Sequence, residues 1–500
     1  MTDIVVVGGG ISGLAATYYV RMASAHGDPT LRCHLIEGDR KFGGKIATHR
    51  QGDFVIEGGP DSFLARKPAV LDLCRELGLA DRLIGTTPGH GGTSVLSGGR
   101  LVKLPEGLTL IVPTRITPFL RSPLISWPGK LRMGLDLVIP PRRSLADESV
   151  AGFVRRRLGE EALRKIGQPL MAGIHVADPE RLSLLATFPQ FAEIERQHGS
   201  LIRGILTRSK QDRSGNDGRG PGAVTESGGL PAPPSSPFLS FRDGMGELVD
   251  GLVNRIAPDT LIRGRRVVRL ERLDGAAGGL APGYQIHLDD GSTISADAVV
   301  LATPASIAAD LVAEFNPGLA SDLRAIRYVS TATVSLGYRR GDIAQALGGS
   351  GFIVPRCENR QINACTWSSQ KFVGRAPADH VLLRAFVGGF GRESLVDVDD
   401  DRLVRVVRAE LQQILGVAAE PVVADLFRWR QGIPQYDVGH LERVAALERH
   451  RDPGLFLAGS AYHGAGVPDC IATARRVATE ARAYLHSRAS EQPVADGALG

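Results

Sequence analysis

The sequence predicts an α/β protein: a split Rossmann-like dinucleotide-binding domain that carries two insertions, a mixed-sheet domain and a mainly helical domain. Three observations lead there. An apolar strand at the N-terminus runs into a glycine-rich turn and a helix, a second apolar strand runs into glycine near the C-terminus, and the chain between them changes character more than once. With 500 residues and 43% hydrophobic content, the chain buries a large core and calls for two or three domains.

The first element is a strand over Ile4–Val7, followed by Gly8-Gly9-Gly10-Ile11-Ser12-Gly13, a helix from about Ser12 to Ala25 and a strand over Arg32–Ile36. In this βαβ unit Gly8 permits the tight turn, Gly10 lets backbone approach a pyrophosphate, and Gly13 lets helix and strand pack closely. Ile11 and Ser12 then belong to a helix N-terminus, where amides and the macrodipole favour phosphate. Glu37, followed by Gly38, ends the second strand, where an acid can bind ribose hydroxyls. A further glycine turn, Arg40-Lys41-Phe42-Gly43-Gly44-Lys45, comes next and places cations beside close-approaching backbone.

Residues 100–206 carry helical periodicity, as in Ser149–Leu158 and Glu160–Leu170, with proline-rich joints. Within them, Thr109–Pro140 interleaves Leu, Ile, Phe and Trp127 with Arg115, Arg121, Lys130 and Arg132. Two readings stay open for it: a segment lying on a membrane surface, or a core-packing helical lid with solvated arginines. Residues 208–237 are rich in Gly, Pro, Ser and Asp and predict a disordered loop. Strands are expected over Arg263–Leu270, Tyr284–Leu288 and Ala298–Ala302. The alternation in 331–338 and 380–388 predicts a second, more antiparallel sheet. Near the end, Phe456-Leu457-Ala458-Gly459-Ser460 is an apolar strand entering a glycine turn, and a helix begins near Ile471. The resulting division assigns 1–85, 238–305 and 425–487 to the dinucleotide-binding domain. It assigns 86–108 and 306–424 to a mixed-sheet substrate domain, 109–207 to the helical domain and 488–500 to a flexible tail.

Composition narrows the function classes. The net charge of +5 is small for this length, and no clustered basic and aromatic tract accompanies it, so nucleic acid is not an expected partner. Five scattered cysteines form no CxxC pair and fit a reducing cytosol. No signal peptide or membrane span is apparent, which points to a cytoplasmic protein, peripheral at most to the inner face of the cell membrane. The twelve histidines form no spaced pair, so no metal site is expected.

The glycine doublet Gly43-Gly44, so soon after Glu37, resembles the motif that follows the βαβ unit in the amine-oxidase-like FAD flavoproteins. That resemblance implies FAD as cofactor. It also implies that Gly459 and the turn through Gly466, Val467 and Ile471 return to the flavin, and that the Val268 backbone meets adenine. Gly58-Gly59-Pro60-Asp61-Ser62-Phe63-Leu64-Ala65-Arg66-Lys67, Ala172-Gly173-Ile174-His175-Val176-Ala177-Asp178, Leu382–Gly389 and Pro434-Gln435-Tyr436-Asp437-Val438-Gly439-His440 narrow it further. Together they resemble the porphyrinogen oxidases of haem synthesis over nearly the whole chain, and the Gly-Pro-Asp-Ser-Phe-Leu form resembles their bacterial branch, which oxidises coproporphyrinogen III. The mitochondrial branch carries an arginine where Asp61 stands here.

The resemblance implies six-electron oxidation of a porphyrinogen, with dioxygen reoxidising the flavin to give hydrogen peroxide. It implies no catalytic side chain, since flavin N5 accepts hydride from a meso carbon. Gly58, Gly59 and Pro60 would join the cofactor turn. Arg66 and Lys67 are the first choices for propionate recognition, with Ile174 and Val176 lining the macrocycle. A ferrochelatase is the expected downstream partner. Protoporphyrinogen IX oxidation is the alternative activity, and a flavin-less binding module of the same fold is the alternative of another class.

Overall fold

The structure, a computed structural model, describes residues 2–24, 31–105, 107–109, 111–113, 115–214, 236–273, 283–343 and 347–490. Five parallel strands form one sheet in the order Leu261–Arg263, Leu31–Glu37, Thr2–Val7, Ala298–Leu301, Leu455–Leu457. Its central strands read as unbroken hydrophobic runs because both faces are covered. Alternate residues of the first strand go to opposite cores. Ile4 and Val6 pack under the helices Ile11–Ser24 and Val467–Ser490, while Val5 and Val7 pack against the helices Ala305–Val312 and Pro317–Arg324. Strands from the beginning, middle and end of the chain thus share one sheet, and the loops that follow Val7, Leu301 and Leu457 lie at its carboxyl edge.

The segment Arg263–Leu270, read from the sequence as one strand, is two. Leu261–Arg263 adds to the parallel sheet, and Val267–Leu273 starts an antiparallel sheet with Gly283–Leu288 and Thr293–Ala296. The break is held by backbone bonds from Gly264 to Asp39 O and from Arg265 to Glu37 O, which bring the turn beside the glycine loop.

A seven-stranded sheet has the order Val423–Pro434, Tyr328–Arg339, His380–Gly388, Ile362–Trp367, Gly351–Ile353, Ser94–Ser97, Arg100–Lys103. Its two long central strands pair antiparallel over Thr331–Arg339 and His380–Gly388. Ala332, Val334 and Leu336 face the helix Asp400–Leu415, so Thr331, Thr333 and Ser335 point the other way. On that second face, Val95, Ile353 and Ala364 pack into the helical domain. The strand Val423–Pro434 therefore departs from the division drawn from sequence, because it completes the seven-stranded sheet. The helices over 305–324 depart in the opposite sense and pack on the parallel sheet.

The helical domain opens Val150–Leu158 with a Ser149 side-chain cap and continues through Glu160–His175 with a π-turn at Leu163–Gly167. Arg157 is wholly buried, bonded to Asp136, to Glu195 and to the carbonyls of Ile139 and Gly199. The helix Leu201–Ser214 extends into the segment read as a disordered loop from 208, and the remainder of that expectation, 215–235, lies outside the described residues. At its far end Ser236 bonds Thr86. The last helix continues to Ser490, past the expected start of the tail, whose residues 491–500 lie outside the described ones. Among the described residues no helix is long and apolar enough to cross a membrane.

Candidate active site

Two glycine turns face each other at the carboxyl edge of the parallel sheet. The Gly8 amide donates to Ile36 O at 2.8 Å and the Gly43 amide to Gly9 O at 2.8 Å, which fixes the turns side by side. A Cβ on Gly13 would overlap the carbonyl of Gly8, so this helix can approach this strand only with glycine there. Gly10 differs: its Cβ would meet nothing nearer than the Gly44 Cα at 4.0 Å, so although the two turns touch, a gap stays open beside the Gly10 Cα. The gap lies at the N-terminus of the helix that Ile11 and the buried Ser12 begin. Glu37 accepts from the Gly9 amide at 2.6 Å and from the Asp39 amide at 2.8 Å, which shapes the loop around its carboxylate. Gly38 lies against Arg266. Lys45 has no acid partner among the described residues, and burial pulls its ammonium down, the Cys470 thiol opposing. This set of open backbone, helix N-terminus and unpaired cation fits a dinucleotide pyrophosphate.

The chain's other end closes the gap. Gly459 and Gly8 both lie against the loop Ala302-Thr303, and Thr303 Oγ1 is buried without a hydrogen-bond partner among the described residues. Sequence reasoning missed Thr303. The signal was there, because ligands bind outside the carboxyl ends of neighbouring parallel strands and the expected strand Ala298–Ala302 ends at this residue. Gly466 precedes the last helix, and the side chains of Val467 and Ile471 pack into the core beneath it. Val268 is 55% exposed and sits where the ladder register shifts, so its backbone is skipped by strand pairing.

Beyond the glycine turns, Gly58-Gly59-Pro60-Asp61 joins the parallel-sheet domain to the seven-stranded sheet. Gly58 O accepts from Trp429 Nε1 at 2.8 Å and Thr333 Oγ1 at 3.2 Å, and the buried Arg384 donates to Gly58 O and to Gly59 O at 2.6 Å. Lys371 Nζ lies 2.9 Å from both Asp61 carboxylate oxygens. Burial works to raise the Asp61 pKa, but Lys371 and Arg384 override it and hold the carboxyl well below the usual range. Burial pulls Arg384 down, with Asp61 and Glu57 opposing. Below the C-terminal glycine turn, the Tyr436 ring stacks on His440 at 4.0 Å. Tyr436 Oη donates to Ser460 O at 2.7 Å and accepts from the Gly464 amide at 2.9 Å.

The four residues read as substrate contacts are dispersed. Arg66 is exposed and has no partner among the described residues. Lys67 is committed: its ammonium bonds both oxygens of Asp469, at 2.6 and 2.7 Å, tying the Gly58–Lys67 segment to the start of the last helix. Ile174 lies on the helix Gln168–His175, and its side chain lies outside the described ones. Val176 ends that helix at φ 52° and meets the seven-stranded sheet, its Cγ1 2.5 Å from where a Cβ on Gly389 would stand. Among the described residues no group of three or more His, Cys, Asp or Glu is placed to hold a metal ion.

Comparison with known proteins assigns this architecture. The family model for flavin containing amine oxidoreductases matches residues 11–482. Coproporphyrinogen III oxidase of Bacillus subtilis (strain 168) is 33% identical over 97% of this chain and 98% of its own. The enzyme of the same name from Propionibacterium freudenreichii is 37% identical over 95% and 90%. A solved structure from Exiguobacterium sp. 255-15, provisionally named a protoporphyrinogen oxidase, superposes with a TM-score of 0.82 at 31% identity, covering 97% of this chain and 99% of that one. Putrescine oxidase superposes at 0.66 with 18% identity over 96% and 99%, a likeness of fold alone.

Proposed function

The chain belongs to the family of flavin containing amine oxidoreductases, and from that premise we propose that it is an FAD-dependent coproporphyrinogen III oxidase acting in haem biosynthesis. The observation that carries this reading is that relatives bearing that name match nearly the whole chain. The matches take in 97% and 95% of the chain.

In this reading Gly10, Gly43, Gly44, Lys45 and Thr303 hold the pyrophosphate. Glu37 meets the adenosine ribose, Val268 the adenine, and Gly58, Gly59, Pro60, Gly459 and Gly466 bound the flavin. Bound FAD supplies the hydride acceptor, and dioxygen regenerates it with release of hydrogen peroxide. The chain's own work is to orient and exclude. Arg384, Thr333 and Trp429 pin the Gly58 carbonyl, fixing the wall between cofactor and sheet. Val176 and the sheet face bearing Ile353 and Phe386 supply an apolar wall for the macrocycle. The Lys67 bond to Asp469 ties the Gly58–Lys67 segment to the last helix, and Arg66 beside it is an exposed cation. The test is anaerobic reduction of the bound flavin by coproporphyrinogen III and protoporphyrinogen IX in parallel. Faster reduction by coproporphyrinogen is expected, and a clear preference for protoporphyrinogen would reverse the assignment.

The protein is further read as cytoplasmic and peripheral to the membrane, delivering its porphyrin to a ferrochelatase. Support for the peripheral contact is an uncovered apolar band, with Ile116, Trp127, Leu131 and Val138 each more than half exposed.

A further inference from the structure

Coproporphyrinogen carries four propionates where protoporphyrinogen carries two, so preference for it requires cations that the smaller acid count does not engage. Lys67, bonded to Asp469, does not supply them.

The strand His380–Gly388 leaves the sheet through Gly388-Gly389 and leads to Phe390, Gly391 and Arg392. This turn abuts the end of the helix carrying Ile174. Gly389 packs against Val176, and Asn363 Nδ2 donates to Gly388 O at 2.7 Å. Three guanidinium groups gather there. Arg392 Nη1 reaches only Asn363 Oδ1, at 3.4 Å. Arg356 stacks over the Phe390 ring at 4.9 Å, and its Nη2 donates to the Phe390 carbonyl. Arg327 covers the same ring at 5.6 Å but is neutralised by Asp437 at 2.9 Å. Among the described residues neither Arg356 nor Arg392 has a carboxylate within ion-pair distance. Burial and the charge of Arg356 both pull Arg392 down, with Glu410 opposing.

Two half-buried like charges without a counter-ion are unfavourable unless an anion joins them. The planar donor fork of arginine matches a carboxylate in two bonds. The adjoining wall of Val176, Ile353 and Phe386 is apolar, so the anion that fits is one attached to a large hydrophobic body. We propose that Arg356 and Arg392 bind the additional propionates of the macrocycle and set the preference for the tetracarboxylate over the dicarboxylate. This rests on the function proposed above.

The experiment compares the flavin-loaded enzyme with Arg356→Gln, Arg392→Gln, the double variant and Arg392→Lys. An unchanged flavin spectrum and melting temperature report folding. In the double variant kcat/KM for coproporphyrinogen III falls by about 10- to 100-fold, as expected for losing charged hydrogen bonds, while protoporphyrinogen IX is used nearly as before; Arg392→Lys recovers part of the loss. A retained preference would overturn the proposal. Equilibrium binding of oxidised coproporphyrin III and of its tetramethyl ester, followed by fluorescence, separates this from the parent reading. Should the wild type oxidise neither porphyrinogen, the parent reading falls, and the anchor stands only if the free acid binds more tightly than the ester and the double variant erases that difference. Equal binding of acid and ester, or of wild type and double variant, removes the anchor and leaves the arginines as supports for the Phe390 turn.

Discussion

Asp61 stands one residue past the Gly-Pro pair, and its carboxylate is the counter-ion around which Lys371 and Arg384 are arranged. Neutralising it leaves two cations sheltered from water, a loss of about 3 kcal/mol for a pair of this kind. Its folded pKa is depressed below the unfolded value of about 3.9. The stabilisation is therefore complete at neutral pH and disappears as pH falls through the folded value. Asp61→Asn should lower the melting temperature at pH 7 and differ progressively less from wild type in acid. Melting curves from pH 7 to 3 test this, and a constant gap between the two proteins would assign the stability elsewhere. At this scale the sequence revealed residue types better than partners. Gly13 was legible because its chemistry is local: a neighbouring carbonyl forbids any Cβ. Lys67 was not, since its charge is matched by Asp469, distant in sequence but adjacent in space. Glu37 was legible as an acid at a strand end, but its bonds to the Gly9 and Asp39 amides were not.

Elements that carry one period were equally plain. The strand Thr2–Val7, its helix and the strand His380–Gly388 fall where hydrophobic pattern places them. The segment 263–270 misled because two short strands from different sheets abut without a strong turn signal. The helix Leu201–Ser214 persists into polar sequence that offers no core of its own, a continuation that composition does not reveal. The C-terminal glycine turn depends on an element that motif reading left without a physical role, the segment from Tyr436 into the helix His440–His450. His440 is buried and lies 3.0 Å from Tyr462 O through Nε2, which fits the neutral Nε2–H tautomer, while Nδ1 has no partner among the described residues. Burial pulls its pKa below the usual 6.5, the bond to Tyr462 opposing and Arg443 assisting. An unfolded or loosened chain thus takes the proton first, so this contribution is full above about pH 6.5 and declines below it. Flavin release on acidification should rise between about pH 6.5 and 5 in the wild type. His440→Gln, which retains a donor and cannot ionise, should rise less steeply over that range, the remaining slope belonging to His463, which burial also pulls down. Parallel release curves would detach His440 from cofactor retention.

For the whole molecule, the band beside the helical domain bears on both readings that its sequence left open. The helix Trp127–Gly134 buries Met133, and Phe119, Leu124 and Ile125 from the preceding segment join the same core, as the lid reading requires. That accounts for the inner face only. On the outer face Trp127 is 64% exposed, Leu131 73% and Val138 75%, with Ile116 and Leu120 beside them and exposed Arg121 and Arg143 nearby. Trp127 and Leu131 are one turn apart, and Lys130 covers the indole at 4.6 Å while bonding the carbonyls of Leu120 and Ser122. An apolar face with flanking cations lies naturally at the headgroup boundary of an anionic bilayer. Such a position also suits an enzyme whose substrate is an amphipathic macrocycle, since the wall proposed for that substrate includes Val176 of the helical domain. Leu131→Asp combined with Val138→Asp should abolish co-sedimentation with anionic vesicles and leave flavin content and turnover of soluble porphyrinogen unchanged. Neutral vesicles should bind the wild type more weakly, and the difference should shrink as salt rises. Equal sedimentation of wild type and double variant would leave the band without a membrane role.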